Sequence, residues 1–395
     1  MRSGPLKVAV VAGEVSGDLL GGDLAAALKR KLPDGIELVG VGGDALQAQG
    51  LRSLFDFSEL SIMGVSQVLA KLPKLLYRIR QTANAIVAAK PDLLVIIDSP
   101  DFTHRVARIV RERLPELPIV DYVCPSVWAW KEARAPRMRA YVDHVLAILP
   151  FEPEVMAKLS GPPTTYVGHR LAMDPHVDAV RARQIEKPVS ASPGAGFTCL
   201  LLPGSRAGEI SRLLPLFRET AMLMTERGGA VRFLLPTVPR QEALVRQLTA
   251  DWPVRPEITI GDEEKWQAFA AADVAIAASG TVILELALAR VPVISCYRLD
   301  WLAKLMTWRI KTWTGALPNL IADYPLVSEF FNEAIRPGLL ARAAERLAAD
   351  TLQRRAMLEG FDLVHQRMQT PVAPGEKAAD VVLGLLAARK PGAFA

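Results

Sequence analysis

Short runs of Val, Ile and Leu alternate along this chain with longer stretches whose apolar residues recur every three or four positions. The runs Lys7 to Ala12, Glu37 to Val41, Asp92 to Ile97, Ile119 to Val123, Val145 to Leu149 and Thr164 to Val167 read as strands. Between them lie helical patterns such as Leu19, Leu20, Leu24 and Leu28, which share one face. Continuous apolar strands separated by helices predict a parallel sheet covered on both sides. From Lys187 to Gly196 the periodicity stops in favour of turn formers, and this stretch reads as a linker. The alternation then restarts with Thr198 to Leu202, Val231 to Leu235, Glu257 to Ile260, Val274 to Ala278 and Val291 to Cys296. The predicted fold is α/β, two doubly wound domains facing a cleft. The first spans 1–186, a linker 187–197 and the second 198–360, followed by a C-terminal helical segment, 361–395, with packing back on the first domain left open.

The length of 395 residues suits two large domains, and a chain half hydrophobic and 23% charged is a folded one. Lys plus Arg number 47 against 42 Asp plus Glu, a net charge of +5 that suits anionic partners without naming nucleic acid. Cys124, Cys199 and Cys296 lie far apart with no CxxC spacing, which predicts no disulfide framework or zinc site and a reducing compartment. The apolar stretch Val8 to Ala12 is too short for a signal peptide. Val274 to Ala289 is interrupted by Ser279-Gly280-Thr281 and Glu285, so it reads as strand then helix, not as a membrane span.

Parallel sheets bind ligands at the carboxyl ends of their strands, which directs attention to three loops. The first strand ends in Gly13-Glu14-Val15-Ser16-Gly17-Asp18, where glycine and helix-start amides suit phosphate or a hydroxyl group. It is not GxGxxG, which counts against a nicotinamide cofactor, and a plain turn with Ser16 or Asp18 capping the helix is the competing reading. In the second half, Gly204-Ser205-Arg206 and Ser279-Gly280-Thr281 each follow a strand and open a helix. The guanidinium of Arg206 suits a diphosphate, and Glu285 could accept ribose hydroxyls. The run Asp92 to Ile97 delivers Asp98-Ser99-Pro100-Asp101-Phe102, placing Asp98 at the mouth of the cleft as a candidate general base, while Asp101 is better read as a helix cap. No His, Cys, Asp or Glu cluster has metal-ligand spacing, and His169 reads as a loop or hinge residue.

Taken together these residues resemble the lipid-A-disaccharide synthase family, inverting glycosyltransferases of the two-Rossmann-domain (GT-B) type. The matching segments are Val11 to Asp18, Ile97 to Phe102, Pro125-Ser126-Val127-Trp128-Ala129-Trp130, Leu149 to Glu152, Leu202 to Arg206, Ala278 to Thr281 and Leu317 to Leu320, in order across most of the chain. The resemblance implies transfer of a diacylglucosamine unit from UDP-2,3-diacylglucosamine to 2,3-diacylglucosamine 1-phosphate (lipid X), forming a β-1,6-linked disaccharide and UDP, with no cofactor or metal. It implies Asp98 as the base, Gly204, Ser205, Arg206, Ser279, Gly280, Thr281 and Glu285 as the UDP site, and Glu14, Ser16 and Asn319 as polar positions near the reaction. One departure follows Gly168-His169, where Arg170 stands in place of a small residue or Pro and Asp174 lies four further on.

Lipid substrates require apolar surface. Val65, Val68, Leu69, Leu72, Leu75 and Leu76 alternate with Lys71, Lys74, Arg78 and Arg80 in a stretch that suits an interface of acyl chains and lipid phosphates. A core helix with a basic face is the competing reading. Trp301, Trp308 and Trp313 with Lys304, Arg309 and Lys311 form a second such segment, for which a packed helix or subunit contact is as good an account. The run Lys131, Arg134, Arg137, Arg139 has acidic neighbours and reads as a solvated helix face, so no nucleic-acid partner is expected. The implied location is cytoplasmic, peripheral to the inner membrane of a Gram-negative bacterium, with a homodimer left open. A UDP-sugar 2-epimerase and a non-catalytic sugar-nucleotide binder are the alternatives.

Overall fold

The computed structural model describes residues 4–60, 65–189, 196–228, 230–299 and 311–389, the side chains of 65–72 excepted. The chain divides into two compact units, 1–170 with 370–395, and 171–369. The first holds strands β1 (Leu6–Ala12), β2 (Ile36–Val41), β3 (Leu93–Ile97), β4 (Ile119–Tyr122), β5 (His144–Ala147) and β6 (Thr164–Tyr166). The second holds β7 (Phe197–Leu202), β8 (Val231–Thr237), β9 (Glu257–Ile260), β10 (Val274–Ala278), β11 (Val293–Tyr297) and β12 (Ser328–Phe331). Each set forms one parallel six-stranded sheet, ordered β2-β1-β3-β4-β5-β6 and β12-β11-β10-β7-β8-β9. In both, the chain winds outward one way and then resumes on the other side of its first strand. The reversal falls between β1 and β3 in one unit and between β7 and β10 in the other.

Helices cover both sheets. The first unit carries α1 (Val15–Lys31), α2 (Asp44–Ala48), α3 (Val65–Ala89), α4 (Pro100–Arg113), α5 (Arg134–Met138) and α6 (Glu152–Lys158). The second carries α7 (Pro175–Glu186), α8 (Ala207–Glu226), α9 (Glu242–Thr249), α10 (Asp262–Ala271), α11 (Thr281–Leu288), α12 (Leu317–Ala322), α13 (Pro337–Ala348) and α14 (Leu352–Met368), and the first is completed by α15 (Pro374–Arg389). Strand alternation splits the core of the first unit in two. Ala9, Val11, Leu94 and Ile96 face Ile79, Ala83, Ile86 and Val106. Val8, Val10, Val95 and Ile97 face Leu20, Leu24, Leu28 and, from α15, Ala378, Val382 and Leu386. Leu19, counted with the apolar face in the sequence, is 40% exposed.

The units divide earlier than the linker composition suggests. Helix α7 belongs to the second unit because Gln184 Nε2 donates to the carbonyls of Phe269 and Ala272, both at 2.9 Å, and Lys187 pairs with Asp273 at 2.8 Å. Helix α14 stays there too, its Asp362 accepting from Arg181 at 2.6 Å and Arg290 at 3.0 Å. Beyond it, α15 joins the first unit, where Glu376 pairs with Arg30 and Lys31 of α1.

Asp18 is a fastener, not the cap of α1. Buried in the first turns of that helix, it accepts from the backbone N–H of Gly43, Ala45 and Leu46 at 2.7, 2.8 and 3.2 Å, fixing the turn from β2 into α2. Asp18→Ala leaves three amides without this partner, two of them buried. A loss of about 3 kcal/mol in unfolding free energy, read from the urea midpoint, is the expected result, since each buried unpaired group costs about 1–3 kcal/mol.

Candidate active site

Both reversal points carry the loops singled out in the sequence. In the first unit Ala12 and Ile97 are register partners, so Gly13 and Asp98 emerge side by side, and the Gly13 amide donates to the Ile97 carbonyl at 3.3 Å. A Cβ on Gly13 would lie 2.2 Å from Ser99 Cβ, so only glycine fits. Asp98 and Ser99 have φ of +54° and +45°, and Val123, at the end of neighbouring β4, has +86°. Three side-chain-bearing residues in the left-handed region, one of them β-branched, mark stored strain of the kind that collects at functional sites. The Asp98 carboxylate is held by Ser99 N–H at 2.7 Å and Ser16 Oγ–H at 3.3 Å, and Ser99 Oγ–H reaches Glu14 Oε1 at 3.1 Å. Glu14, Ser16 and Asp98, named separately in the sequence, form one cluster. Ser16 therefore serves Asp98 and does not cap α1. Asp101 likewise caps nothing: Ser99 holds the cap position of α4, and Asp101 lies 3.3 Å from Arg134.

Below Asp98 lies a cavity of about 90 Å³ lined also by Pro100, His104, Asp121, Cys124 and Ser126. His104 Nε2 is 3.0 Å from Asp121 Oδ2, and Nδ1 is 3.0 Å from the Tyr141 hydroxyl, both partners being buried. Burial raises the Asp121 carboxyl and His104 opposes that rise. The sequence reading missed this pair. Its signal was a lone acid inside the apolar run Ile119-Val120-Asp121-Tyr122.

The Pro125 to Trp130 segment is tied to Leu149 to Glu152 through a buried acid. Glu152 accepts from Trp128 Nε1 at 3.4 Å and the Leu149 amide at 3.0 Å, and burial lifts its carboxyl to about 8. His169 is held down at about 4 by burial and by Arg170, so the imidazole is neutral at physiological pH.

In the second unit a cavity of about 610 Å³ opens at the carboxyl ends of β7 to β10. Gly204, Ser205, Arg206, Ser279, Gly280, Thr281 and Glu285 all line it, joined by Glu209, Pro236, Thr237, Asp262 and Lys265. Gly204, at φ +105°, packs against Glu209, whose Oε2 would lie 2.5 Å from an added Cβ. Helices α8 and α11 begin here at Arg206 and Gly280 with no side chain capping either, leaving first-turn amides for an anion. Arg206 is well exposed and pairs with Glu209 at 2.9 Å. Burial raises the Glu285 carboxyl against the pull of Lys265, a residue the sequence reading passed over although it follows Asp262 by one helical turn.

Asn319 is buried and fully engaged within its own unit. Its Nδ2 donates to Thr314 Oγ1 at 3.0 Å and the Val327 carbonyl at 3.1 Å, while Oδ1 accepts from Leu326 N–H at 2.9 Å and Val327 N–H at 2.7 Å. It anchors the Thr314-Gly315 loop, where a Cβ on Gly315 would come within 3.8 Å of Ser279 Oγ.

Of the apolar positions proposed for lipid, Val65, Val68, Leu69 and Leu72 lie on α3 with side chains outside the described residues. Leu75 packs against the core and Leu76 is exposed. Two of the accompanying cations share one carboxylate: Arg78 makes two 2.8 Å hydrogen bonds to Glu59, and Lys74, mostly exposed, lies 3.2 Å from it. In the second segment Trp313 is exposed, while Trp301, Lys304, Trp308 and Arg309 fall outside the described residues. Among the described residues no helix is long and apolar enough to cross a membrane, and no group of three or more His, Cys, Asp or Glu is placed to hold a metal ion.

Residues 8–376 match the family model of lipid-A-disaccharide synthetase. The lipid-A-disaccharide synthase of Rhodopseudomonas palustris is 46% identical over 387 residues, 95% of each chain. That of Bradyrhizobium diazoefficiens is 44% identical over 96% of each, and that of Rhodospirillum centenum 38% over 98% of this chain and 96% of its own. Among solved structures, Acinetobacter baumannii MurG superposes with a TM-score of 0.58 at 16% identity, covering 96% of this chain and all of its own. The calicheamicin glycosyltransferase CalG4 gives 0.57 at 15%, covering 99% and 100%. The UDP-GlcNAc 2-epimerase of Neisseria meningitidis gives 0.55 at 12%, covering 96% and 100%. The fold is thus that of the GT-B glycosyltransferases, and because epimerases share it, the fold alone does not separate the two activities.

Proposed function

Since the chain belongs to the lipid-A-disaccharide synthase family, glycosyltransferases of lipid A biosynthesis, we propose that Asp98 and the β7–β10 cavity are the two halves of its chemistry. The substrates implied by the family are UDP-2,3-diacylglucosamine and 2,3-diacylglucosamine 1-phosphate. In this reading the cavity takes the UDP portion: Arg206 and the amides opening α8 and α11 hold the diphosphate, and Glu285 the ribose. Asp98 takes the proton from the acceptor 6-hydroxyl as its oxygen bonds to the anomeric carbon. The bond from that carbon to the phosphate oxygen breaks, and its electron pair leaves with UDP. Negative charge grows on the departing diphosphate, where a guanidinium and fixed amides stabilise it most.

The observation that carries this reading is the built acid at the first reversal point, a strained Asp98 oriented by Ser99 and Ser16. The test is direct: purified protein, UDP-2,3-diacylglucosamine and lipid X are incubated and disaccharide and UDP are measured. Absence of product from wild-type protein rejects the proposal.

Contact with a lipid surface is the further part of this proposal. On α3, exposed Leu76 and Tyr77 would supply apolar contact, and Lys74 and Arg80, both exposed, the cationic part. Serine in place of the apolar residues at 65–76 should weaken sedimentation with anionic vesicles.

A further inference from the structure

Lys265 occupies a place in the nucleotide cavity that diphosphate binding does not explain. It rises from the first turn of α10 with Nζ 2.9 Å from Asp262 Oδ1 and 3.3 Å from Glu285 Oε2. The ammonium also sits 4.3 Å above the Trp266 ring. Trp266 is itself fixed, edge-on to Phe269 at 5.3 Å and stacked on His176 at 5.9 Å with ring planes 2° apart. A cation wedged between two carboxylates and an aromatic face has little freedom, and it transmits that rigidity to Glu285.

We propose that Lys265 is a positioning residue that holds the Glu285 carboxylate as the acceptor for two vicinal ribose hydroxyls, so that the cavity prefers a ribonucleotide to its 2′-deoxy counterpart. The inference rests on the reading of this cavity as the UDP site. A carboxylate accepts both hydroxyls, whereas a protonated acid must spend one oxygen as a donor. Burial alone drives Glu285 toward the protonated form, and Asp262 and, from the cap of α7, Asp174 push the same way; Lys265 is the opposing charge. Burial also disfavours the charged form of Lys265, but the two acids beside it more than offset that, and it stays an ammonium ion. Arg206 and Glu209 face the same cavity, and His176 stacks on the Trp266 ring beside Lys265.

Calorimetric binding of UDP and 2′-deoxy-UDP between pH 6 and 9 tests the idea on wild type, Lys265→Met, Lys265→Arg and Glu285→Gln. Wild type should prefer UDP by about 10- to 100-fold, the range set by a hydrogen bond to a charged group. Lys265→Met should lose preference toward the low end of this range and regain it as pH rises and Glu285 sheds its proton unaided. Lys265→Arg should keep the preference, and Glu285→Gln should lack it throughout. A wild-type preference in Lys265→Met that does not vary with pH overturns the role of Lys265. An undiminished preference in Glu285→Gln overturns the ribose assignment, and failure of wild type to bind UDP overturns the reading of the cavity itself. If the methionine variant does not fold, Lys265→Gln gives the same readout.

Discussion

Asp98→Asn is expected to lower kcat by about 10²- to 10⁴-fold, the range associated with loss of a general base, and to leave the dissociation constant for UDP unchanged. The amide keeps the shape, and its oxygen can still accept from Ser99 N–H or Ser16 Oγ–H, so the loop geometry survives the substitution. What disappears is the capacity to take a proton. UDP affinity is the control because the cavity proposed to take it lies in the other unit. Steady-state kinetics with both lipid substrates, paired with UDP calorimetry, decide the matter. An asparagine variant with near-normal kcat removes Asp98 from the chemistry and leaves it a role in shaping the loop. Ser16→Ala should cost far less, because its 3.3 Å hydrogen bond orients a carboxylate that Ser99 already holds at 2.7 Å.

The second large effect is expected at Arg206. Arg206→Ala should reduce kcat/KM by about 10²- to 10³-fold, in line with removal of one preorganised donor from developing charge. Arg206→Lys should recover only a fraction, since an ammonium cannot make two parallel hydrogen bonds to a phosphate. Folding should be untouched: the side chain is mostly exposed and its partner, Glu209, is a helix neighbour one turn on. Thermal unfolding measured with the kinetics separates the two effects. A loss confined to KM would mean that Arg206 binds substrate and leaving group equally and contributes nothing to the departure of UDP.

How much of this was readable in advance depends on how local each signal was. Strands such as Leu93 to Ile97 declared themselves because both their faces are buried, and topology makes the loops that follow them the candidate sites. Strand β12 was not visible: Ser328-Glu329-Phe330-Phe331 pairs at the sheet edge, half exposed, with no apolar run to announce it. The allegiance of α7 was hidden as well, since turn-forming residues at 187–196 are a local cue, whereas the hydrogen bonds of Gln184 to Phe269 and Ala272 span more than eighty positions. Asp18 failed for the same reason, its amide partners lying twenty-five to twenty-eight residues on. His104, Asp121 and Lys265 are single polar residues whose meaning is set by partners from other elements. Motif reading finds loops, and the groups beneath them emerge only in three dimensions.

The return of α15 to the first unit bears on how the protein is made. Ala378, Val382 and Leu386 close one apolar face of the β1–β3 sheet, yet they are translated after the whole second unit. The unit that holds β1 to β6 therefore cannot finish folding until the second unit and then α15 have been added. Through that interval the surface of Leu20, Leu24 and Val10 awaiting α15 is open to chaperones or to aggregation, in the way of multidomain chains whose units do not mature in order of synthesis.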